Sequence, residues 1–463
     1  MQRTPEASHS GPTEIHSPEK KRGKPAVAAT SVPSTRRAKR AARAQHASNS
    51  RRARPDFGGP RARAGRAAAG LGNNAKSAAT AGQDHREKRE ASRTTKLEAR
   101  RRLAEVTSLP RVSKCGRVSM GDDGEVALRY GPAAGDEGYG CAGFGGLVTC
   151  GSVWACPVCS AKIATKRAAE LDKLIRWNVD RGGSVGLLTL TMRHHKGQRL
   201  RELRRGLTGA WRHITESRGW KQAKTDLGLD GYVRAIECTH SVDNGWHLHI
   251  HVLLIFDGPL SQEMAELLAL EVWERWAAGL ARQGLTALQE HAVDVRIGDH
   301  ALERLGKYIN KLAFEAVGGR WKKGRKGGRT PFEILGDALA TGLADEIELW
   351  WEWEQASKGM QQLVWSGKGE TYLKKRAGID HLTDEQVAEE TERGQTIAIL
   401  PARTWKRVYP VAEDLLNITE RGGPEAAYRW LDTRGLPFEA REPDPDRPPA
   451  QRPEWITRDR SGT

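Results

Sequence analysis

Runs of apolar residues divide the middle of the chain into short strands. The largely apolar segment at 184–192 predicts a buried strand. Strands at 232–239 and 246–256 flank the turn Asp243-Asn244-Gly245, and this arrangement is typical of a β-hairpin. A further strand is expected over about 292–297. These segments predict one hairpin-containing sheet.

Apolar residues three and four positions apart predict helices before, between and after these strands along the chain. The expected ranges are 93–103, 160–180, 200–217, 261–281, 300–316, 331–340 and 344–357. Because helices alternate with the strands, we expect an α+β fold, an antiparallel sheet with helices on one face. Short helical patterns beyond Thr383 predict a small accessory helical unit at 381–438.

The positive charge of the chain is concentrated at its N-terminal end. Residues 1–102 carry 25 Lys and Arg residues against 8 Asp and Glu residues, whereas the remainder carries 50 of each sign. The same segment contains no Trp or Tyr. Because such a composition buries little apolar surface, we predict a disordered basic arm at 1–105. A polybasic arm attracts phosphate backbones, and we expect it to bind nucleic acid; the alternative is a solvated tail.

The sequence shows neither an apolar signal peptide at its start nor a run long enough to cross a membrane, so we expect a soluble, cytoplasmic protein without a membrane partner. The predicted segments after the arm are a Cys-rich, zinc-knuckle-like segment with its helix at 110–180, a core at 181–317, a basic loop and helical extension at 318–380, the accessory unit, and a disordered tail at 439–463.

Three histidines alternate along the second hairpin strand. His247, His249 and His251 are two residues apart, so their side chains lie on one face of the sheet. Hairpin pairing would bring Glu237 beside them as a carboxylate ligand. Two imidazoles and a carboxylate suit a divalent cation, Mg²⁺ or Mn²⁺, that also holds substrate oxygens. The alternative is a polar sheet face without a metal.

A tyrosine lies among cations on the helix predicted at 300–316. Arg304, Tyr308 and Lys311 fall on one face of that helix, and Lys307 lies next to Tyr308. Nearby cations favour the ionised phenol, which is then a usable nucleophile toward phosphate. The alternative is an amphipathic core helix with a tyrosine at its boundary.

Four cysteines within 19 residues suggest a structural zinc site. Cys141, Cys150, Cys156 and Cys159 include the spacing C-P-x-C, which is typical of a zinc knuckle, and Cys115 competes with Cys141 for the fourth place. The alternative is a set of free buried thiols.

A glycine-rich loop at 318–329 contains six basic residues and no acidic residue. We expect its cations, together with Arg304, to contact a DNA backbone. The residues concerned are Arg320, Lys322, Lys323, Arg325 and Lys326.

These motifs together resemble the HUH-type rolling-circle replication initiators of actinobacterial plasmids and integrative elements. The matching pieces are LLTLT at 187–191, HLHIHVLL at 247–254 and GKYINK at 306–311, in the same order. The resemblance implies an HUH endonuclease-like sheet, metal binding by His249 and His251 with Glu237, and His247 as an accessory ligand.

The resemblance also implies the reaction and its partners. Tyr308 would attack one strand of single-stranded or cruciform origin DNA and form a 5′-phosphotyrosyl link. A host polymerase, together with a host helicase, would then extend the free 3′ end. Some relatives carry a Glu four residues before the tyrosine to direct the terminating hydrolysis, whereas this chain has Arg304 there.

Two other classes of function remain open from the sequence. The spacing of the histidines is also that of the histidine-triad nucleotide hydrolases and transferases, in which the middle histidine is the nucleophile. A non-catalytic nucleic-acid-binding protein would need the cysteines and the arm but not Tyr308. A conjugative relaxase is a variant of the hypothesis that the protein nicks DNA.

Overall fold

The structure is a computed structural model of the chain, and it describes residues 74–131, 140–298, 328–366, 372–389 and 394–442. Its first half contains, in chain order, α1 (Asn74–Val106), α2 (Pro110–Lys114), β1 (Val126–Gly131), β2 (Cys141–Gly145), α3 (Pro157–Asp180), β3 (Ser184–Thr191), α4 (Leu200–Glu216), α5 (Arg218–Asp226), β4 (Leu229–Ser241) and β5 (Gly245–Phe256).

The second half begins with α6 (Gln262–Ala281), α7 (Gln289–Ala292) and β6 (Val293–Ile297). After it come α8 (Pro331–Thr341), α9 (Ala344–Ser357), β7 (Leu363–Trp365), α10 (Tyr372–Arg376), α11 (Asp384–Glu389), β8 (Gln395–Leu400), α12 (Ala402–Val408), a 3₁₀ turn (Tyr409–Val411), α13 (Ala412–Asp432) and β9 (Glu439–Ala440). The α+β class is confirmed. Among the described helices, none is long and apolar enough to cross a membrane.

The central sheet has five antiparallel strands in the order β6-β3-β5-β4-β7. The predicted hairpin is its centre: β4 pairs with β5 along most of their length, and Gly245 at the turn has φ of +71°. The register places Glu237 directly opposite His249. The short strand β7 was not predicted from the sequence.

Helices cover both faces of this sheet, so the prediction of helices on one face is wrong. On one face, Ile250 and Val252 belong to a buried core with Leu207 of α4 and Leu268 of α6. On the other face, Leu253 and Ile255 pack in a core with α3. The histidines continue this second face along β5, beyond its apolar core. Because strand side chains alternate, one strand can serve two cores and a polar site.

A second sheet, in the order β2-β1-β8-β9, lies outside the central one. β1 and β8 pair with each other although about 270 residues separate them. Their buried side chains pack on α12 and α13. The accessory unit is therefore not purely helical, and it includes β1 and β2 of the Cys-rich segment. Residue Glu439, predicted as the start of a disordered tail, lies in β9.

The prediction of a disordered arm over 1–105 is wrong for its last third, because Asn74–Val106 is helical. The arginines of this helix form salt bridges with carboxylates more than 300 residues away. Arg101 pairs with Glu413 at 2.6 Å, and Arg93 pairs with Glu420 at 2.6 Å. Leu103 is fully buried. The helix is ordered by these distant partners rather than by its own apolar content. Residues 1–73 lie outside the described residues, as do 443–463.

Candidate metal centres

A carboxylate and two imidazoles meet on β4 and β5. Glu237 Oε2 lies 3.0 Å from His249 Nε2 and 3.1 Å from His251 Nε2. The three side chains keep 14% to 18% of their surface exposed. The strand pairing decides this arrangement, because Glu237 faces His249 and His251 is the next residue on the same face.

The spacing of the donor atoms suits a divalent cation. Ligand atoms at right angles around an ion, each at about 2.1 Å, lie about 3 Å from one another. The Glu237–His249 and Glu237–His251 distances have this value, and the three donor atoms lie within 4.8 Å of each other. Two imidazoles and a carboxylate on one side of an ion leave its other positions open.

Burial lowers the pKa of His249 to about 4. The pKa of His247 is also lowered to about 4, first by burial and then by the neighbouring His249 and His194. Both imidazoles are therefore neutral near pH 7, and a neutral imidazole is the form that binds a metal. Of the two rings, His249 belongs to the cluster, so a cation could bind there without first displacing a proton from it.

The three histidines differ in the partners of their Nδ1 atoms. Thr189 Oγ1, on the paired strand β3, lies 3.1 Å from His251 Nδ1. His247 does not join the cluster; its Nδ1 lies 2.8 Å from His194 Nε2. His249 Nδ1 is buried and has no hydrogen-bond partner among the described residues. A hydrogen-bond partner at Nδ1 fixes the ring that carries a ligand nitrogen, and of the two candidate ligands His251 has such a partner in Thr189.

Four buried thiols form a separate cluster. Cys115 Sγ lies 3.8 Å from Cys156 Sγ and 3.6 Å from Cys159 Sγ, and Cys150 Sγ lies 3.6 Å from Cys159 Sγ. A tetrahedral zinc ion with Zn–S bonds of about 2.3 Å holds its sulfurs about 3.8 Å apart. A disulfide needs about 2.05 Å. The spacing therefore suits a shared metal rather than cross-links.

The fourth thiol is Cys115, and the choice of Cys141 is wrong in this fold. Cys141 is exposed in β2, whereas Cys115 follows α2 and is buried with the other three. Hydrogen bonds from Cys150, Cys156 and Cys159 lower the pKa of Cys115. The backbone N–H of Ser152 donates to Cys150 Sγ at 3.4 Å, because the left-handed Gly151 turns the chain around that sulfur.

A family model described as "Replication protein" matches residues 148–394, which is more than half of the chain. The chain belongs to this replication protein family. The matched range contains Glu237, His249 and His251 together with three of the four clustered thiols, whereas Cys115 and the strands β1, β2 and β8 lie outside it.

Three curated relatives resemble this replication protein. "Protein rep" of Streptomyces lividans is 28% identical over 299 residues, covering 51% of this chain and 65% of the relative. "Neomycin resistance protein" of Streptomyces cyanogenus is 29% identical, covering 24% of this chain and 31% of the relative. "Protein rep" of Lactiplantibacillus plantarum is 29% identical, covering 27% and 39%. No solved structure matches the chain.

Several predicted residues of this replication protein lie outside the described part of the chain. They are Arg304, Lys307, Tyr308, Lys311, Arg320, Lys322, Lys323, Arg325 and Lys326. The segment that carries them leaves the sheet after Ile297, beside β3, and returns at Arg329, whose backbone N–H donates to His240 O on β4 at 2.7 Å. The described residues before the segment thus belong to the edge strand β6, and those after it bridge to β4.

Two side chains at the candidate site were not predicted from the sequence. Thr189 lies in the LLTLT motif, and the alternation of a strand could have placed it on the histidine face. His194 follows β3 in a loop, where no periodicity indicates its contact with His247. The first residue had a readable signal, and the second had none.

Proposed function

We propose that this replication protein initiates rolling-circle replication of a plasmid by nicking one strand of origin DNA, with an HUH-type site. The observation that carries the proposal is the Glu237, His249 and His251 cluster at metal-ligand spacing, in a member of a replication protein family. The relatives named "Protein rep" support the same role. The chain spans 65% of the length of the first of them.

Tyr308 is the proposed nucleophile. Its phenolic oxygen attacks the scissile phosphorus and forms a new O–P bond, while the bond between phosphorus and the 3′ oxygen breaks. The phenol proton is lost and the departing 3′ oxygen gains one, so the products are a 5′-phosphotyrosyl link and a 3′-hydroxyl group. Lys307 and Lys311 favour the ionised phenol. The covalent link stores the phosphodiester for later rejoining.

Glu237, His249 and His251 would hold Mg²⁺ or Mn²⁺. The bound cation supplies positive charge that polarises the scissile phosphate. Thr189 keeps the ring of His251 in place, and His247 is an accessory group next to the site. The basic residues Arg304, Arg320, Lys322, Lys323, Arg325 and Lys326 would contact the DNA backbone.

The four thiols would hold a structural Zn²⁺. Thiolate is the ligand that zinc takes in closed tetrahedral sites, and the sulfur spacing fits that geometry. The proposed setting is the bacterial cytoplasm, where a host polymerase, together with a host helicase, would extend the DNA from the 3′-hydroxyl group that nicking leaves on single-stranded or cruciform origin DNA. In reducing cytoplasm, free thiols and metal sites are the expected states of cysteine.

The test mixes the full chain with labelled single-stranded DNA from the origin of the plasmid that encodes it, with Mn²⁺ or Mg²⁺. We expect a protein–DNA adduct that survives denaturation and maps to Tyr308 by mass spectrometry. Tyr308→Phe, His249→Ala and added EDTA should each abolish it. Tyr372→Phe removes an exposed hydroxyl on α10 and is the matched control.

Two results would contradict the nicking proposal. One is an adduct that persists in Tyr308→Phe or forms in EDTA. The other is a nucleotide attached to His249, which is the product of a histidine-triad enzyme.

A further inference from the structure

The second sheet borders a groove that the proposed nicking reaction does not use. The groove lies between the segment after Cys115 and α12, and its volume is about 520 Å³. Arg117 and Ser119 form one wall, and Lys406 and Tyr409 form the other, with Trp405 at the base. These residues lie outside the range 148–394 that the family model matches.

The two walls are fixed to each other. Trp405 Nε1 donates to the backbone carbonyl of Arg117 at 2.9 Å, and Phe144 packs edge-on against Trp405 with ring centroids 4.9 Å apart. Gly116, between Cys115 and Arg117, adopts a left-handed φ of +63°, and its N–H donates to Val148 O at 2.7 Å. The thiol cluster therefore anchors one wall, and the α12 core anchors the other.

The lining is positively charged. Arg117 and Lys406 are exposed cations on opposite walls, and no carboxylate is among the described residues that line the groove. Asp123, on the adjacent loop, accepts the backbone N–H of Glu125 at 2.9 Å. Two cations on opposite walls, with no carboxylate among the described lining residues, attract an anion such as a phosphodiester.

The groove also offers an aromatic surface. The rings of Trp405 and Tyr409 lie 5.8 Å apart, and Tyr409 is only partly buried. Burial raises the pKa of Tyr409, and the charges of Arg100, Arg117 and Arg101 offset this rise only in part. Its hydroxyl therefore keeps its proton near pH 7 and can donate a hydrogen bond to a phosphate or a base.

We infer that this groove binds single-stranded DNA, with phosphates at Arg117 and Lys406 and a base against Tyr409. Proteins that hold single strands combine a basic groove with aromatic side chains on which bases stack. Duplex DNA would satisfy the cations but would leave the aromatic ring unused. The inference goes beyond the proposed function, because it concerns a second site and holds whether or not Tyr308 is a nucleophile.

The first test is photocrosslinking of the full chain to a single-stranded oligothymidylate that contains bromodeoxyuridine. EDTA is present, and the sequence is unrelated to any origin, so nicking does not contribute. We expect crosslinked peptides that contain Trp405 or Tyr409. Crosslinks confined to other parts of the chain, including the basic residues 1–73, would overturn the inference.

The second test measures binding of the same strand by fluorescence anisotropy over a range of salt concentrations. Arg117→Ala with Lys406→Ala removes two phosphate contacts. The negative slope of log K against log salt should therefore become shallower by about 1.4. The control, Lys221→Ala with Arg282→Ala, removes the same charge from exposed positions outside the groove. It should leave the slope nearly unchanged.

Tyr409→Leu completes the series, because it removes the ring without changing the charge. We expect weaker binding of the single strand by about fivefold to a hundredfold, as for a lost base stack of about 1–3 kcal/mol, with an unchanged salt slope. Equal losses in the groove and control pairs, or equal competition by duplex DNA, would contradict the inference. An adduct that persists in Tyr308→Phe, with these results intact, would instead overturn the nicking proposal alone.

Discussion

Thr189 links strand β3 to the candidate metal ligands on β4 and β5. Its Oγ1 lies 3.1 Å from His251 Nδ1, so it fixes which nitrogen of that ring faces Glu237. Hydrogen-bond partners of this kind raise the basicity of a ligand and hold the ring in place. The quality of the candidate site thus depends on a residue that does not itself reach the metal position.

Replacing Thr189 with Val keeps the shape and removes the hydrogen bond. We expect the affinity of the full chain for Mn²⁺ to fall about 10-fold to 100-fold, measured by isothermal titration calorimetry, because His251 loses its orienting partner. Thr191→Val is the matched control: this residue lies opposite His249 on the same strand as Thr189, but its hydroxyl donates to His291 O at 2.6 Å rather than to a histidine ring. An unchanged affinity in Thr189→Val would show that the contact plays no part in metal binding.

At the scale of an element, α1 shows how a helix rich in cations is held against the molecule. Its guanidinium groups pair with Glu413 and Glu420 of α13, and Leu97 and Leu103 are buried. Lys96 has no carboxylate partner among the residues that the structure describes: burial, and then the charge of Arg93, lower its pKa from 10.5 to about 8. A buried ammonium without a carboxylate opposes folding.

Lys96→Met should therefore stabilise the protein. The folded-state pKa lies below the unfolded value, so the charged side chain costs stability below pH 8, and the cost fades as the pH rises from 8 toward 10.5. We expect a gain of about 1–3 kcal/mol at pH 7 in urea unfolding, which shrinks by pH 10. The exposed Lys88→Met should change little. A gain that is constant with pH would exclude this cause.

At the scale of the whole molecule, the thiol cluster joins parts of the chain that are distant in sequence. Trp154, between Cys150 and Cys156, packs edge-on against Trp353 of α9 with centroids 5.7 Å apart. Trp353 stacks on Trp246, which precedes His247 on β5. Packed side chains thus connect the cysteine loop with the strand that carries the histidines. Order at the thiol cluster supports both sheets.

Cys115→Ser should remove the proposed zinc and destabilise the protein. We expect about one zinc per chain in the wild-type protein by elemental analysis, and far less in Cys115→Ser, with a lower Tm. Cys141→Ser, at an exposed cysteine outside the cluster, should keep both the zinc and the Tm. His249→Ala should also keep the zinc, because it belongs to the other site. Full zinc content in Cys115→Ser would refute this ligand set.

Local sequence patterns predicted most strands and helices of the central sheet. The hairpin turn and the alternation of His247, His249 and His251 placed Glu237 beside the histidines, because pairing in a hairpin follows from nearby residues. The knuckle cysteines Cys150, Cys156 and Cys159 were readable for the same reason. The predictions for Tyr308 and the basic loop fall on residues outside the described part.

The sequence by itself determined the histidine face and the local cysteine knuckle, since strand alternation and short loops depend on neighbours a few residues apart. Only the tertiary structure decided that Cys115 rather than Cys141 completes the thiols, that β8 pairs with β1, and that α1 is ordered. Each of these depends on contacts between residues far apart along the chain. These long-range contacts are stabilised by burial and charge pairing in the folded molecule. Local periodicity in the sequence does not reveal either of them.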